Sequence, residues 1–130
     1  MVTSVIVGLG TDVCSVERMR LAIERQEGRF EQRILSPREL AQIADRKHYP
    51  EVVAGRFAAK EAFSKCLDGG RGVPWHDVEI MAMPSGRPVL ELKGEGLRRA
   101  QEAGATTWHV SISHDGGVAM ATVILESAVP

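Results

Sequence analysis

The chain is predicted to be α+β, a mainly antiparallel sheet packed against a long central helix, and three observations carry that expectation. The elements run strand, helices, then hairpins, instead of alternating strand and helix. The second half holds short apolar runs separated by Gly- and Pro-bearing turns, as antiparallel pairing requires. Between the halves lies a helix, from about Pro50 to Leu67, that is apolar around most of its circumference and so needs partners on several sides.

Each element has a local reason. Residues 2–10 read as an apolar strand ending in Gly8-Leu9-Gly10. Residues 15–27 read as a helix that Ser15 caps and Gly28 stops. Ser36-Pro37-Arg38-Glu39 is a capping box with proline at the first helical position, and the helix it starts runs to about Lys47. Pro50 opens the long helix, which Asp68-Gly69-Gly70 ends. Val78–Ala82 and Val89–Leu92 are strands about the turn Pro84-Ser85-Gly86-Arg87-Pro88. Leu97–Ala103 is a short helix with Gly104 as its stop. Trp108–Ser113 alternates with period two, His114-Asp115-Gly116-Gly117 turns the chain, and Val118–Leu125 returns as the partner strand.

Size and composition bound the function. At 130 residues the chain reads as one domain over 1–130, with ordinary apolar (44%) and charged (25%) fractions. A net charge of −1 disfavours a general nucleic-acid binder, and no apolar run is long enough to span a membrane. The start reads as a strand rather than a signal peptide. Cys14 and Cys66 make neither a disulfide framework nor a zinc pattern, so they are expected to be small core residues, reduced, in a cytoplasmic protein.

Charge is nonetheless unevenly placed. Arg18, Arg20, Arg25, Arg29, Arg33 and Arg38 crowd the N-terminal third, and Arg18, Arg25 and Arg29 share one helix face. Two readings stand: a solvated face with Glu17, Glu24 and Glu31 as partners, or a docking stripe for an acidic protein. The second concentration is on the long helix. Glu61, Ser64, Lys65 and Asp68 form a polar strip, and Arg56 lies at the edge of the apolar arc. Charge on a mostly buried helix marks a candidate site, because an unpaired buried charge is expensive.

Asp12, after the first strand, is either a turn residue or a carboxylate ligand, and Glu61 is either an i,i+4 partner of Lys65 or a second carboxylate. Two carboxylates that leave positions open to water and phosphate oxygens describe a magnesium site. Lys65 suits a phosphate as a point charge, with Arg46, Lys47 and Arg56 as further cations. The segment Asp68-Gly69-Gly70-Arg71-Gly72 is either a helix stop or a backbone cradle for anions. Ser111, Ser113, His114 and Asp115 do not form a hydrolase triad, since consecutive and alternate strand residues do not converge. Ser113 and His114 are placed instead at a strand end facing a ligand, or His114 is a turn histidine bonded to its own loop. His48, His76 and His109 lack metal-ligand spacing.

These segments together resemble the holo-acyl-carrier-protein synthase family, the small single-unit class of 4′-phosphopantetheinyl transferases. Gly8-Leu9-Gly10-Thr11-Asp12 with Arg18 is similar to its N-terminal motif, and Arg56-Phe57-Ala58-Ala59-Lys60-Glu61-Ala62-Phe63-Ser64-Lys65 to its central signature. Ser85-Gly86-Arg87-Pro88 resembles its hairpin turn, and His109-Val110-Ser111-Ile112-Ser113-His114 its C-terminal motif. Thr11 stands where an aliphatic residue is usual and Cys66 where alanine is common; neither change removes a charge. Gly28 replaces a basic residue of some relatives.

The resemblance implies the family's fold and transfer of phosphopantetheine from coenzyme A to a serine of an apo acyl carrier protein, releasing adenosine 3′,5′-bisphosphate. It implies Mg²⁺ on Asp12 and Glu61 and phosphate on Lys65. Lys47, Arg56, Gly86, Arg87 and Pro88 are then coenzyme A contacts, with Ser113 and His114 near the nucleotide. Arg18 and Arg25 meet the acidic carrier helix. A homotrimer with nucleotide in clefts between subunits is implied too, so that the hairpin contacts come from a neighbouring chain. The serine's base is Glu61, directly or through a water. The competing reading is a non-catalytic coenzyme A- or nucleotide-binding subunit of the same fold. Lys60 receives no role.

Overall fold

The computed structural model describes residues 3–70 and 72–129, so Val2 of the expected first strand and Arg71 of the glycine-rich segment lie outside the described residues. Its elements are β1 (Thr3–Ser15), α1 (Val16–Gln26), α2 (Arg29–Ile34), α3 (Pro37–Ile43), α4 (Tyr49–Lys65), β2 (Val78–Ala82), β3 (Pro88–Leu92), α5 (Gly94–Glu102), β4 (Thr107–Asp115) and β5 (Val118–Val129), with a 3₁₀ turn at Trp75–Asp77. The α+β class and the antiparallel pairing hold, in two sheets: β1-β5-β4 and β2-β3.

The local caps act as their residue types require. Ser15 accepts from the Arg18 N–H at the start of α1. Ser36 and Glu39 complete the capping box of α3. Some boundaries differ from expectation. β1 runs on through Asp12 to Ser15, because β5 pairs with it as far as Ser15↔Val118; Asp12 therefore lies within the strand, opposite Ala121. Gly28, expected as a helix stop, is also the left-handed N-cap of the short helix α2, which the sequence reading lacked. α3 ends at Ile43, short of Lys47. His114 and Asp115 continue β4, and Gly116-Gly117 alone make the turn, both with positive φ.

α4 is the axis of the fold. Val52–Arg56, Ala58–Lys60, Ala62 and Phe63 are all buried. Its C-terminal half packs with Val78, Ile80, Leu90, Val123 and Leu125, and its N-terminal half with Met19, Phe30, Ile34, Leu35 and Ile43. The alanines bring the sheet close, and Gly-x-Gly in β1 brings it closer. A Cβ on Gly10 would lie 1.9 Å from the Ala62 carbonyl oxygen, and one on Gly8 2.8 Å from that of Cys66. Here the glycines serve backbone-to-backbone contact. The two sheets are joined by the Trp108 indole, which donates to the Leu90 carbonyl at 3.0 Å. Cys66 is a buried free thiol, as expected; Cys14 is half-buried.

The outer face of β1-β5-β4 is uncovered. The register sets Leu9 beside Ile124, Val13 beside Met120, and Ser15 beside Val118. Leu9 is 63% exposed and Val13 64%.

Candidate functional site

The glycine contact sets Asp12 of β1 beside the last two turns of α4. There Lys65 Nζ lies 2.8 Å from Asp12 Oδ1, so the lysine pairs across elements rather than with Glu61 on its own helix. Burial raises the Glu61 carboxyl above the ordinary glutamate value; Asp12 raises it further, and Lys65 partly opposes both. Lys65 is raised above the usual lysine value, chiefly by its hydrogen bond to Asp12. Asp12, Glu61 and Lys65 are thus electrostatically coupled: two carboxylates acting on each other, with one ammonium paired to Asp12. Glu61 and Lys65 open on a cavity of about 480 Å³ lined also by Ser64, Gly70, Pro74 and Trp75 among others.

A second cavity, of about 120 Å³, gathers Arg46, Gly55, Arg56, Gly86, Pro88 and His114. Gly55 admits the strand: a Cβ there would lie 2.9 Å from Ile112 and 3.1 Å from His114 Nε2. His114 Nε2 donates to the Glu51 carbonyl at 3.0 Å, which fixes the ring. Arg56 is 7% exposed, and its Nε and Nη2 are buried without a hydrogen-bond partner among the described residues. Burial lowers its pKa below the ordinary arginine value, and Glu39 counters that. Buried, unpaired guanidinium N–H groups are costly and call for an anionic or polar occupant.

The structure therefore sorts the residues singled out by sequence into two groups. Arg56 and Lys65 are nine residues apart, ~180° around a helix of 3.6 residues per turn. One chain presents the groups on opposite sides of α4. Some expected neighbours part. Ser113 and His114 do not share a face: Ile112 and His114 turn toward α4, while Ser113, opposite Met120, turns to the uncovered face. Arg87 and Lys47 are exposed and line neither cavity; Arg46, one residue before Lys47, lines the second.

On α1, Glu17 and Glu24 both engage Arg20, and Glu31 accepts from the Tyr49 hydroxyl. Arg18 and Arg25 are exposed and form no ion pair among the described residues. Arg18 edges an apolar cavity of about 240 Å³ with Met19, Ala22, Phe30 and Phe57.

Lys60, left without a role above, is 2% exposed. Its Nζ donates to Glu39 Oε1 at 2.7 Å and to the carbonyls of Trp75 (3.0 Å) and Val78 (2.6 Å). Burial pulls its pKa below the ordinary lysine value while Glu39 pushes it back; three acceptors around one nitrogen are the environment of an ammonium. Glu39, 21 residues earlier in another helix, is 0% exposed and also accepts from the backbone N–H groups of Ser36 and Ile80. The capping box identifies Glu39, but nothing local to α4 identifies it as Lys60's partner.

Among the described residues no group of three or more His, Cys, Asp or Glu side chains could hold a metal. Asp12 and Glu61 fit a divalent cation only where a substrate and water complete the shell, as Mg²⁺ on phosphate does. Their mutual repulsion is what such a cation relieves. Among the described residues no helix is long and apolar enough to cross a membrane.

The chain is similar over most of its length to known proteins of one family. The model of the 4′-phosphopantetheinyl transferase superfamily matches residues 8–123. A holo-[acyl-carrier-protein] synthase from Solidesulfovibrio magneticus is 46% identical over 92% of this chain and 97% of that protein. One from Vibrio parahaemolyticus is 45% identical over 94% and 98%. Among solved structures, Helicobacter pylori holo-[acyl-carrier-protein] synthase in complex with coenzyme A superposes with a TM-score of 0.78 at 33% identity, covering 90% of this chain and 98% of that one. The Plasmodium yoelii holo-ACP-synthase gives 0.81 at 30% identity, over 96% and 98%.

Proposed function

The chain belongs to the 4′-phosphopantetheinyl transferase superfamily, and on that premise we propose that it is a holo-[acyl-carrier-protein] synthase, one transferase unit over its whole length. It transfers 4′-phosphopantetheine from coenzyme A to a serine hydroxyl of an apo acyl carrier protein and releases adenosine 3′,5′-bisphosphate. The observation that carries this reading is the Asp12–Glu61–Lys65 unit, two carboxylates with one ammonium, beside the cavity that Glu61 and Lys65 line.

In this reading Asp12 and Glu61 hold Mg²⁺, which when bound neutralises charge on the diphosphate and the leaving bisphosphate. Lys65 holds a phosphate oxygen as a point charge. The serine oxygen forms a bond to the phosphorus that carries pantetheine, and the bond from that phosphorus to the bridging oxygen breaks. The serine proton passes to Glu61, directly or through a water, and the bridging oxygen leaves on the bisphosphate. Arg56 lends its charge to the nucleotide end, with Arg46, Gly86, Pro88 and His114 around it; Lys47, Arg87 and Ser113, which face elsewhere in one chain, are contacts from a neighbouring copy. Two groups on opposite sides of α4 suit a substrate lying between copies of the chain. The uncovered apolar face of β1-β5-β4 gives those copies a surface, and a homotrimer is the assembly proposed. Arg18 and Arg25, free of the acids that Arg20 and Tyr49 engage, face the acidic carrier, and the apolar cavity beside Arg18 takes one of its side chains.

The test is direct. The protein is mixed with coenzyme A, Mg²⁺ and an apo carrier protein, and the carrier is weighed by mass spectrometry. A gain of one phosphopantetheine group is expected. No gain on any carrier, with coenzyme A still bound, would replace the transferase by the non-catalytic binding subunit. Light scattering is expected to give three times the 14.2 kDa chain mass.

A further inference from the structure

No strand lies beside the outer edge of β2 among the described residues, and side chains stand in for one. Lys60 Nζ donates to the Val78 carbonyl at 2.6 Å. The Ile80 N–H donates to Glu39 Oε2 at 3.0 Å. Ala82 is bound twice by Gln42: its N–H donates to Oε1 at 2.7 Å, and its carbonyl accepts from Nε2 at 2.8 Å. Val78, Ile80 and Ala82 are alternate residues, as one edge of a strand demands. Glu39 and Gln42 are three apart on α3 and so share a helix face. The carboxamide of Gln42 thus presents the paired donor and acceptor that a neighbouring strand's backbone would.

Gln42 is the last rung before the hairpin leaves the body of the protein. Beyond Ala82 the chain is held by Met83 N–H to the Arg87 carbonyl at 2.9 Å and Gly86 N–H to the Met83 carbonyl at 2.7 Å. Opposite Ala82 stands Pro88, in a pair whose backbone groups point away from each other, so β3 adds no ladder bond at that rung. Gly86 and Pro88 then reach the cavity that holds Arg46, Arg56 and His114. Gln42 itself is exposed and lies outside both hydrophobic clusters.

We infer that Gln42 is a positioning residue: its carboxamide clamps the β2–β3 hairpin so that Gly86 and Pro88 are set against Arg56 for the nucleotide end of coenzyme A. This rests on the coenzyme A reading above. Gln42 lines a cavity of about 480 Å³ with Arg46 and Gly86, but both polar atoms of its carboxamide are committed to Ala82, so it acts through the hairpin, on binding rather than on the chemical step.

The test uses Gln42→Met, which keeps the side-chain length and loses both hydrogen bonds, and Gln42→Ala. Three quantities are compared with the unsubstituted protein: coenzyme A affinity by calorimetry, kcat against KM for transfer, and amide hydrogen exchange. Two modest hydrogen bonds set the scale, so affinity is expected to fall about three- to tenfold in both variants. KM rises by a similar factor while kcat stays within about twofold, as for lost uniform binding. Exchange speeds up at Met83 and Gly86 and is unchanged in the central strand at Val123. Unchanged affinity in both variants would overturn the inference, as would protection lost evenly through the core, which marks a merely structural role. Should the unsubstituted protein fail to bind coenzyme A, the functional reading fails by itself. Exchange at Met83 and Gly86 then decides the clamp, and unaltered protection there refutes it.

Discussion

Replacing Lys60 by methionine is expected to be among the most damaging single changes in this protein. The ammonium is 2% exposed and has three acceptors, of which Glu39 is itself 0% exposed. Methionine fills much of the volume but leaves the Glu39 carboxylate buried, with the Ser36 and Ile80 N–H groups as its remaining hydrogen-bond donors among the described residues and the Arg56 charge nearby. Removing one partner of such a pair costs about 3–5 kcal/mol. Total stability for a domain is about 5–15 kcal/mol, so about a fifth or more is at stake, equivalent to a fall in Tm of roughly 10–20 °C at this size. The measurement is urea unfolding followed by circular dichroism, at one fixed protein concentration so that any assembly cancels. Lys60→Met/Glu39→Gln removes the stranded charge and is expected to be less destabilised than the two single costs combined. A Lys60→Met protein within about 1 kcal/mol of the parent would refute the reasoning, and so would full additivity.

Other expectations concern the site. Asp12→Ala and Glu61→Ala are each expected to lower transfer by about a hundredfold or more with Tm nearly unchanged; full activity in either, by mass spectrometry of the carrier, contradicts the metal assignment. Arg18→Glu is expected to weaken carrier binding tenfold or so and leave coenzyme A affinity alone; calorimetry showing equal losses would contradict the docking assignment. The raised Glu61 pKa fixes the sign of a pH effect. The folded protein holds this proton more tightly than the unfolded chain, so the stabilisation is complete at acid pH and lost as pH rises through the folded value. Mg²⁺ needs the ionised carboxylate, so the Tm rise it produces is expected to be larger at about pH 8 than at about pH 5. Equal rises at both would count against Glu61 as a ligand.

Much of the fold was legible because its signals are local. Ser15 and the Ser36–Glu39 box cap helices through groups three residues away, and period two in Trp108–Ser113 needs no knowledge of the partner strand. What failed depended on distant partners. β1 continues past Gly10 because β5 reaches back to pair with it as far as Ser15. Gly28 reads as a stop for α1, and nothing nearby announces that it also starts a six-residue helix. The charged residues of the site were legible by type and by family resemblance, but their grouping was not. Asp12 and Glu61 meet only because Gly10 admits α4, and Ser113 parts from His114 only once the strand direction is known. Lys60 was opaque for the same reason: its partner belongs to another helix.

The side-chain rungs on β2 also bear on how the protein behaves in a crowded solution. A bare strand edge is a template on which a foreign strand can zip, the first step toward cross-β polymer. Lys60, Glu39 and Gln42 occupy the Val78 carbonyl, the Ile80 N–H and both backbone groups of Ala82, which such a strand would use. Being side chains of helices, they fill the register without offering a further edge of their own. The sheet is therefore blunted along β2, and a two-stranded hairpin, marginal in isolation, is held to the helices by the same side chains that close much of that edge.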